Sequence, residues 1–139
     1  MKDIFTNHYL TDTNILLFMG YKPERVSSDV KYILEDTDNK VMFSVASIWE
    51  IMIKSQLNKP NFSINVEVFR RHLLKNGFLE LSIGGEHAIS VGNLPENLHK
   101  DPFDRIIVSQ AKTESLTLIT SDSLIIKSCS NYIDIIPNN

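Results

Sequence analysis

The hydrophobic pattern alternates along the chain between short apolar runs and longer segments with helical spacing. Short apolar runs that suit buried strands occur at residues 9–11, 41–45, 78–83, 116–120 and 132–136. Segments with helical periodicity lie between them, at residues 13–19, 28–36, 44–57, 66–76, 86–91, from 102 onward and at 123–127. The alternation predicts an α/β fold, a three-layer α/β/α sandwich around a mainly parallel sheet of four to five strands.

Capping residues indicate where several of these helices begin and end. Asp101 is predicted as an N-cap with Pro102 at the first helical position, and Asp104 then occupies the third. Ser28 is predicted to cap the second helix. Gly77 follows the helix at 66–76 where a left-handed residue commonly ends a helix, and Pro60 is expected to close the segment at 44–60.

Length and composition limit the classes of protein that fit. A chain of 139 residues predicts one domain over residues 1–139, and its apolar runs are too short to span a membrane. Residues 1–8 lack the apolar region of a secretory signal, and Cys129 is alone, so a reducing cytoplasm is expected and Cys129 is predicted to be an apolar packing residue. A net charge of −3 argues against a protein held on nucleic acid by charge alone.

Four acids are predicted to reach one edge of the sheet. Asp12 follows the first strand, Asp104 opens a helix and Asp122 follows a late strand, while Glu50 lies in the helix after the second strand. Taken singly, Asp12 could simply cap a helix and Glu50 could be solvated. Together they would repel one another unless they shared a cation, and oxygen ligands favour Mg²⁺ or Mn²⁺ over Zn²⁺. Such an ion suits phosphodiester hydrolysis.

Two histidines are not expected to bind metal. His87 and His99 have no second His or Cys nearby at the short spacing of a zinc site. Both are therefore predicted to be surface or loop residues.

Four segments together resemble a known family. YLTDTNILLF, FSVASIWEIMIKSQLNK, DPFDRIIVSQA and LTLITSD, in this order, are similar to the PIN domain, in particular to VapC-like toxin nucleases of toxin–antitoxin pairs. The resemblance implies a Mg²⁺- or Mn²⁺-dependent endoribonuclease acting on RNA and held inactive by a cognate antitoxin. It also implies that the metal-binding and catalytic residues are Asp12, Glu50, Asp104 and Asp122. Asp101 would be a helix cap or an outer group, and Asn14 stands where many relatives carry His.

Other readings of the same residues remain open. One is a catalytically silent PIN-like protein that only binds a partner. Another is a phosphatase with an aspartyl nucleophile, although such enzymes have a second Asp two residues on, where this chain has Asn14. A phospho-accepting receiver domain fits less well, because it needs a Lys after the last strand and here that strand runs into Pro137.

The helices at 13–19 and 44–57 carry more apolar residues than one buried stripe requires. Leu17, Phe18, Met19, Trp49 and Met52 are examples. A monomer would expose some of them, and exposed apolar patches mark interaction surfaces. A homodimer, antitoxin binding, or both are therefore expected to use this region.

Overall fold

The computed structural model of the protein describes residues 7–57 and 64–139. Within these ranges the strands are β1 His8–Thr11, β2 Lys40–Ser44, β3 Leu79–Leu81, β4 Thr117–Thr120 and β5 Ile135–Pro137. They form one sheet in the order β3-β2-β1-β4-β5, and every neighbouring pair is parallel. The predicted sheet of four to five strands is therefore confirmed, with five strands in the described part of the chain.

Helices connect successive strands. They are α1 Thr13–Tyr21, α2 Ser28–Glu35, α3 Val45–Gln56, α4 Val66–Lys75, α5 Gly85–Ser90, α6 Pro102–Thr113 and α7 Ser123–Cys129, with short 3₁₀ turns at Pro23–Arg25 and Val91–Asn93. The helices flank the sheet, as the predicted three-layer α/β/α architecture requires. The predicted helix stop at Pro60 lies outside the described residues.

Apolar side chains bury both faces of the central strands. Successive residues of a strand point to opposite faces, so Leu10 and Tyr9 belong to different layers. Leu10 packs in a buried cluster with residues of α6 and α7, such as Ile107 and Ile125. Tyr9 packs in another cluster with Ile15 of α1 and residues of α2. Burial on both faces explains why these strands are almost continuously apolar.

Some predicted boundaries differ from the structure. Ser27, and not Ser28, caps α2, because its hydroxyl accepts a hydrogen bond from the Val30 amide. The last strand starts at Ile135 and not at residue 132, because the amides of Tyr132 and Ile133 donate to the Cys129 carbonyl in the turn after α7. Proline is tolerated in β5 because that strand lies at the sheet edge.

Two other predicted features, at Gly77 and Cys129, are confirmed. Gly77 has φ of 90°, the left-handed conformation that ends a helix without steric cost to glycine. Cys129 is fully buried in the core, and burial raises the pKa of its thiol, as expected for a packing residue. Among the described residues, no helix is both long and apolar enough to cross a membrane.

The strand order positions a crevice between β1 and β4. The chain leaves β1 toward β2 on one side and leaves β4 toward β5 on the other, so the connections diverge between these two central strands. Ligands of open α/β sheets bind at such a switch point, beyond the carboxyl ends of the strands. Asp12 directly follows β1, and Asp122 lies two residues after β4.

Candidate metal centre

Asp12 is both a helix cap and a member of the acidic cluster. One oxygen, Oδ1, accepts a hydrogen bond from the Ile15 amide at 3.0 Å, and the Thr120 hydroxyl donates to the other, Oδ2. Only 3% of the residue is exposed. The pKa of Asp12 is raised to about 6, first by burial and then by the charges of Asp122 and Glu50, while the hydrogen bonds from Thr120 and Ile15 oppose the increase.

Asp122 caps α7 with one oxygen and leaves the other for the cluster. Its Oδ1 accepts hydrogen bonds from the Leu124 amide at 2.8 Å and the Ile125 amide at 3.2 Å. Its own amide donates to the Thr120 hydroxyl oxygen at 3.0 Å. Thr120 therefore connects Asp12 with Asp122 across the ends of β1 and β4.

Asp104 enters the cluster from the first turn of α6. Asp101 caps this helix as predicted, because its Oδ1 accepts from the amides of Phe103 at 2.9 Å and of Asp104 at 3.2 Å. The pKa of Asp104 is raised to about 7, first by burial and then by the charges of Asp101, Asp122, Glu50 and Asp12. The carboxyl thus lies among other acids.

Glu50 is largely withdrawn from solvent, with 13% of its side chain exposed. Its Oε2 lies 3.4 Å from the Lys54 ammonium nitrogen one turn along α3. Its Oε1 is buried and has no hydrogen-bond partner among the described residues. The Thr13 hydroxyl donates to the Ser47 hydroxyl at 2.9 Å, which holds the start of α1 against the turn of α3 that precedes Glu50.

The structure brings the four predicted acids to the same edge of the sheet. Asp12 and Asp104 each have a pKa raised by both Asp122 and Glu50. Carboxylates this close carry mutual repulsion at neutral pH, and a bound cation would relieve it. Their assignment as metal ligands stays a prediction.

His99 also belongs to this cluster, which sequence reasoning missed. Its Nε2 lies 3.3 Å from Asp104 Oδ2 and 3.4 Å from Asp122 Oδ2. The ligand atoms of these three residues all lie within 4.8 Å of one another. The residue is in a loop, as predicted, but the only available sequence signal was its position two residues before the Asp101 cap.

His87 corrects a second prediction. It is buried, with 5% exposed, and not a surface residue. Its Nε2 lies 2.7 Å from Glu114 Oε2 and its Nδ1 accepts a hydrogen bond from the Gly84 amide at 2.9 Å. These contacts join α5 to α6, away from the four acids.

The residues at this edge fit a divalent cation. Glu50 offers a buried oxygen without a hydrogen-bond partner, and Asp122 keeps Oδ2 free of its capping contacts. Carboxylate oxygens are the donors that Mg²⁺ and Mn²⁺ prefer. The available carboxylate oxygens and the mutual repulsion of the acids are therefore consistent with a binding site for such an ion.

Comparison with known proteins identifies the family. A model of the PIN domain matches residues 9–127, which is most of the chain. The chain belongs to the PIN domain family. PIN domains are generally nucleases and typically use divalent metals. All four acids lie within the matched part of this PIN domain.

Solved structures share the fold of this PIN domain. VapBC2 from Rickettsia felis, bound to a promoter DNA fragment, matches with a TM-score of 0.72 and 17% identity over 94% of this chain and 98% of that chain. A DNA-bound VapBC from Salmonella typhimurium matches with a TM-score of 0.68 and 16% identity, covering 95% and 98%. A toxin–antitoxin complex from Klebsiella pneumoniae matches with a TM-score of 0.67 and 21% identity, covering 94% and 98%. No curated protein shows significant sequence similarity to this chain.

Proposed function

We propose that this PIN domain is a Mg²⁺- or Mn²⁺-dependent endoribonuclease, with Asp12, Glu50, Asp104 and Asp122 as its metal-binding and catalytic residues. The observation that carries the proposal is the convergence of four carboxylates at the switch point of the sheet, where the charges of Asp122 and Glu50 raise the pKa of both Asp12 and Asp104. Acids on four separate elements would not be held together against their repulsion for stability alone. A nuclease site explains why the fold keeps them there.

Each residue has a role that follows from its position. Asp12 and Asp122 are each anchored twice, because each accepts a hydrogen bond from an amide at a helix start and each also forms a hydrogen bond with Thr120. Glu50 and Asp104 would complete the ligand set from α3 and α6. A divalent ion held by these residues would supply an activated water near neutral pH and would offset negative charge on the phosphate.

We further propose that the protein is the toxin of a toxin–antitoxin pair, acting in the cytoplasm as a single domain of residues 1–139. The support is the fold that it shares with the toxin–antitoxin complex from Klebsiella pneumoniae and with the DNA-bound VapBC assemblies. A cognate antitoxin would then be its protein partner and RNA its substrate. The single buried Cys129 agrees with a reducing compartment.

An exposed apolar surface supports a homodimer. Trp49 and Met52 of α3 are 59% and 42% exposed, Ile83 is 38% exposed, and Ile89 of α5 is 79% exposed. Trp49 and Ile83 line one groove together with apolar residues of α5 and α6. The excess apolar residues of α1 are instead half-buried. We therefore place the self-association surface on α3 and α5.

The proposal is tested by RNA cleavage with purified protein in Mg²⁺, in Mn²⁺ and in chelator. We expect wild-type protein to cleave RNA in Mg²⁺ or Mn²⁺ and not in chelator. The cleavage rate should fall at least about 100-fold in Asp12→Asn, Asp104→Asn and Asp122→Asn, since loss of a residue that only contacts a metal ligand already lowers activity about 10- to 100-fold. Glu50→Gln should also be impaired.

Asp134→Asn is the matched control. Asp134 is exposed and precedes β5, so it lies at the amino ends of the strands, whereas the four acids lie at the carboxyl ends. This variant should cleave at the wild-type rate. Cleavage that persists in all three Asn variants would refute the site. A wild-type protein without cleavage would favour the silent partner-binding alternative, and hydrolysis of phosphomonoesters through a phospho-aspartate would favour the phosphatase.

A further inference from the structure

Building on the proposed metal centre, we propose that His99 is a positioning residue that holds Asp104 and Asp122 together for the ion without binding the ion itself. The residue lies in the loop before α6, and its imidazole reaches between the first turns of α6 and α7. One nitrogen therefore contacts carboxylates from two different elements.

The distances show that this nitrogen is shared. Nε2 lies 3.3 Å from Asp104 Oδ2 and 3.4 Å from Asp122 Oδ2, and it forms a well-aligned hydrogen bond to neither. Nε2 is also buried, so water does not compete for it. A donor placed between two acids offsets their repulsion and keeps them close.

The other ring nitrogen argues against direct coordination. The Asp101 amide donates to Nδ1 at 3.4 Å, so Nδ1 presents its lone pair and the neutral ring carries its proton on Nε2. A metal-ligating histidine usually donates its second N–H to a carboxylate, carbonyl or water. Here the second nitrogen faces a donor, and Nε2 then has no lone pair to give to an ion.

The loop that carries His99 is fixed to α6. The Arg105 guanidinium donates to the Leu98 carbonyl at 3.3 Å and to the His99 carbonyl at 3.4 Å. The Leu98 side chain is buried in the core beside α6. An imidazole on such an anchored backbone can set the separation of two carboxylates, as outer partners of metal ligands do.

The test measures Mn²⁺ and Mg²⁺ binding to metal-stripped protein by calorimetry. His99→Ala should lower the affinity for both ions about 10- to 100-fold. The factors should be similar for Mn²⁺ and Mg²⁺, because no nitrogen ligand is lost. His99→Gln should restore most of the affinity, since its amide can donate from near the Nε2 position. His72→Ala removes an exposed histidine of α4 and should bind as wild type.

Pulsed electron paramagnetic resonance of the Mn²⁺-loaded protein distinguishes the two roles of His99. We expect no coupling from a directly coordinated imidazole nitrogen. Such coupling, or a loss in His99→Ala that is much larger for Mn²⁺ than for Mg²⁺, would overturn the proposal in favour of a ligand. Unchanged affinity in His99→Ala would refute only the proposed role of His99. A wild-type protein that binds neither ion would refute the proposed metal centre as well. Circular dichroism in chelator shows whether each variant is folded, and His99→Leu, which places an apolar side chain there and removes the donor, replaces His99→Ala if that variant does not fold.

Discussion

In Asp12 and Asp122, one carboxylate oxygen caps a helix and the other lies at the acidic cluster. In both residues Oδ1 accepts backbone amides at a helix start, and Oδ2 faces the acidic cluster or its neighbours. Asparagine keeps one such oxygen and is a good N-cap, whereas alanine is not. Amide and alanine variants therefore separate the capping role from the charge.

Thermal unfolding of Asp122 variants should show this separation. In chelator, Asp122→Asn should melt at the wild-type temperature or higher, because it relieves repulsion, while Asp122→Ala should lose about 1 kcal/mol of stability with its cap. Millimolar Mg²⁺ should raise the melting temperature of wild type more than that of Asp122→Asn. If Asp122→Asn is destabilised equally with and without Mg²⁺, Asp122 caps α7 but does not bind the ion.

The raised pKa values predict how the stability of the metal-free protein depends on pH. Folding raises the pKa of Asp104 to about 7 and that of Asp12 to about 6, from an ordinary aspartate value of 3.8. The folded protein therefore binds more protons than the unfolded chain between about pH 4 and pH 7, and its stability falls as pH rises through that window. In chelator, the melting temperature should be higher at pH 5 than at pH 8.

Asp104→Asn should flatten this pH profile, and Asp134→Asn should leave it unchanged. Melting curves measured at half-unit steps of pH in chelator would show the difference. A melting temperature that changes between pH 5 and pH 8 by the same amount in wild type and in Asp104→Asn would contradict a raised pKa at Asp104.

The acids could be predicted from the sequence but the histidine could not. Asp12 directly follows one apolar run and Asp122 lies two residues after another, so the end of a predicted strand also places the carboxylate. His99 lies in a loop whose path depends on the contacts of Arg105 with two carbonyls and on the burial of Leu98. No local pattern encodes such contacts, which form only when α6 packs against the sheet.

At the scale of single elements, the start of α6 offers a separate test. Asp101 was predicted to be a cap or an outer group of the site, and its Oδ1 caps the helix while its charge raises the pKa of Asp104. Asp101→Ala should cost about 1 kcal/mol in urea denaturation. Asp101→Asn should keep both the stability and the rate of RNA cleavage. Loss of cleavage in the folded Asp101→Asn variant would instead make Asp101 part of the site.

Element starts were easier to predict than strand lengths. Asp101 with Pro102 marks the start of α6 by local chemistry, because an N-cap and a proline at the first position need no tertiary partner. Residues 132–134 look like strand residues, yet two of their amides close the turn after α7. Only the pairing of β5 with β4, at Leu118 and Ile135, shows where the strand begins.

At the scale of the whole molecule, the apolar surface of α3 and α5 should control self-association. Ile89→Glu places a charge on a side chain that is 79% exposed, so the fold should tolerate it while a dimer should not. Sedimentation velocity should then show a monomer. Tyr32→Glu on α2 is the control, because Tyr32 is 77% exposed and lies on another helix. Identical sedimentation of wild type and Ile89→Glu would exclude this surface.

The pairing of β1 with β4 also has a consequence for biosynthesis. Leu10 pairs with Leu118, so about a hundred residues must be made before the two central strands can meet. Strands so distant in sequence pair late in folding, and a nascent chain emerges from the ribosome with its amino end first. Asp122 follows β4, so it can join Asp12 only after β4 has been made. The proposed nuclease site would therefore stay incomplete until β4 has emerged, while the nascent chain lies beside the RNA of the ribosome.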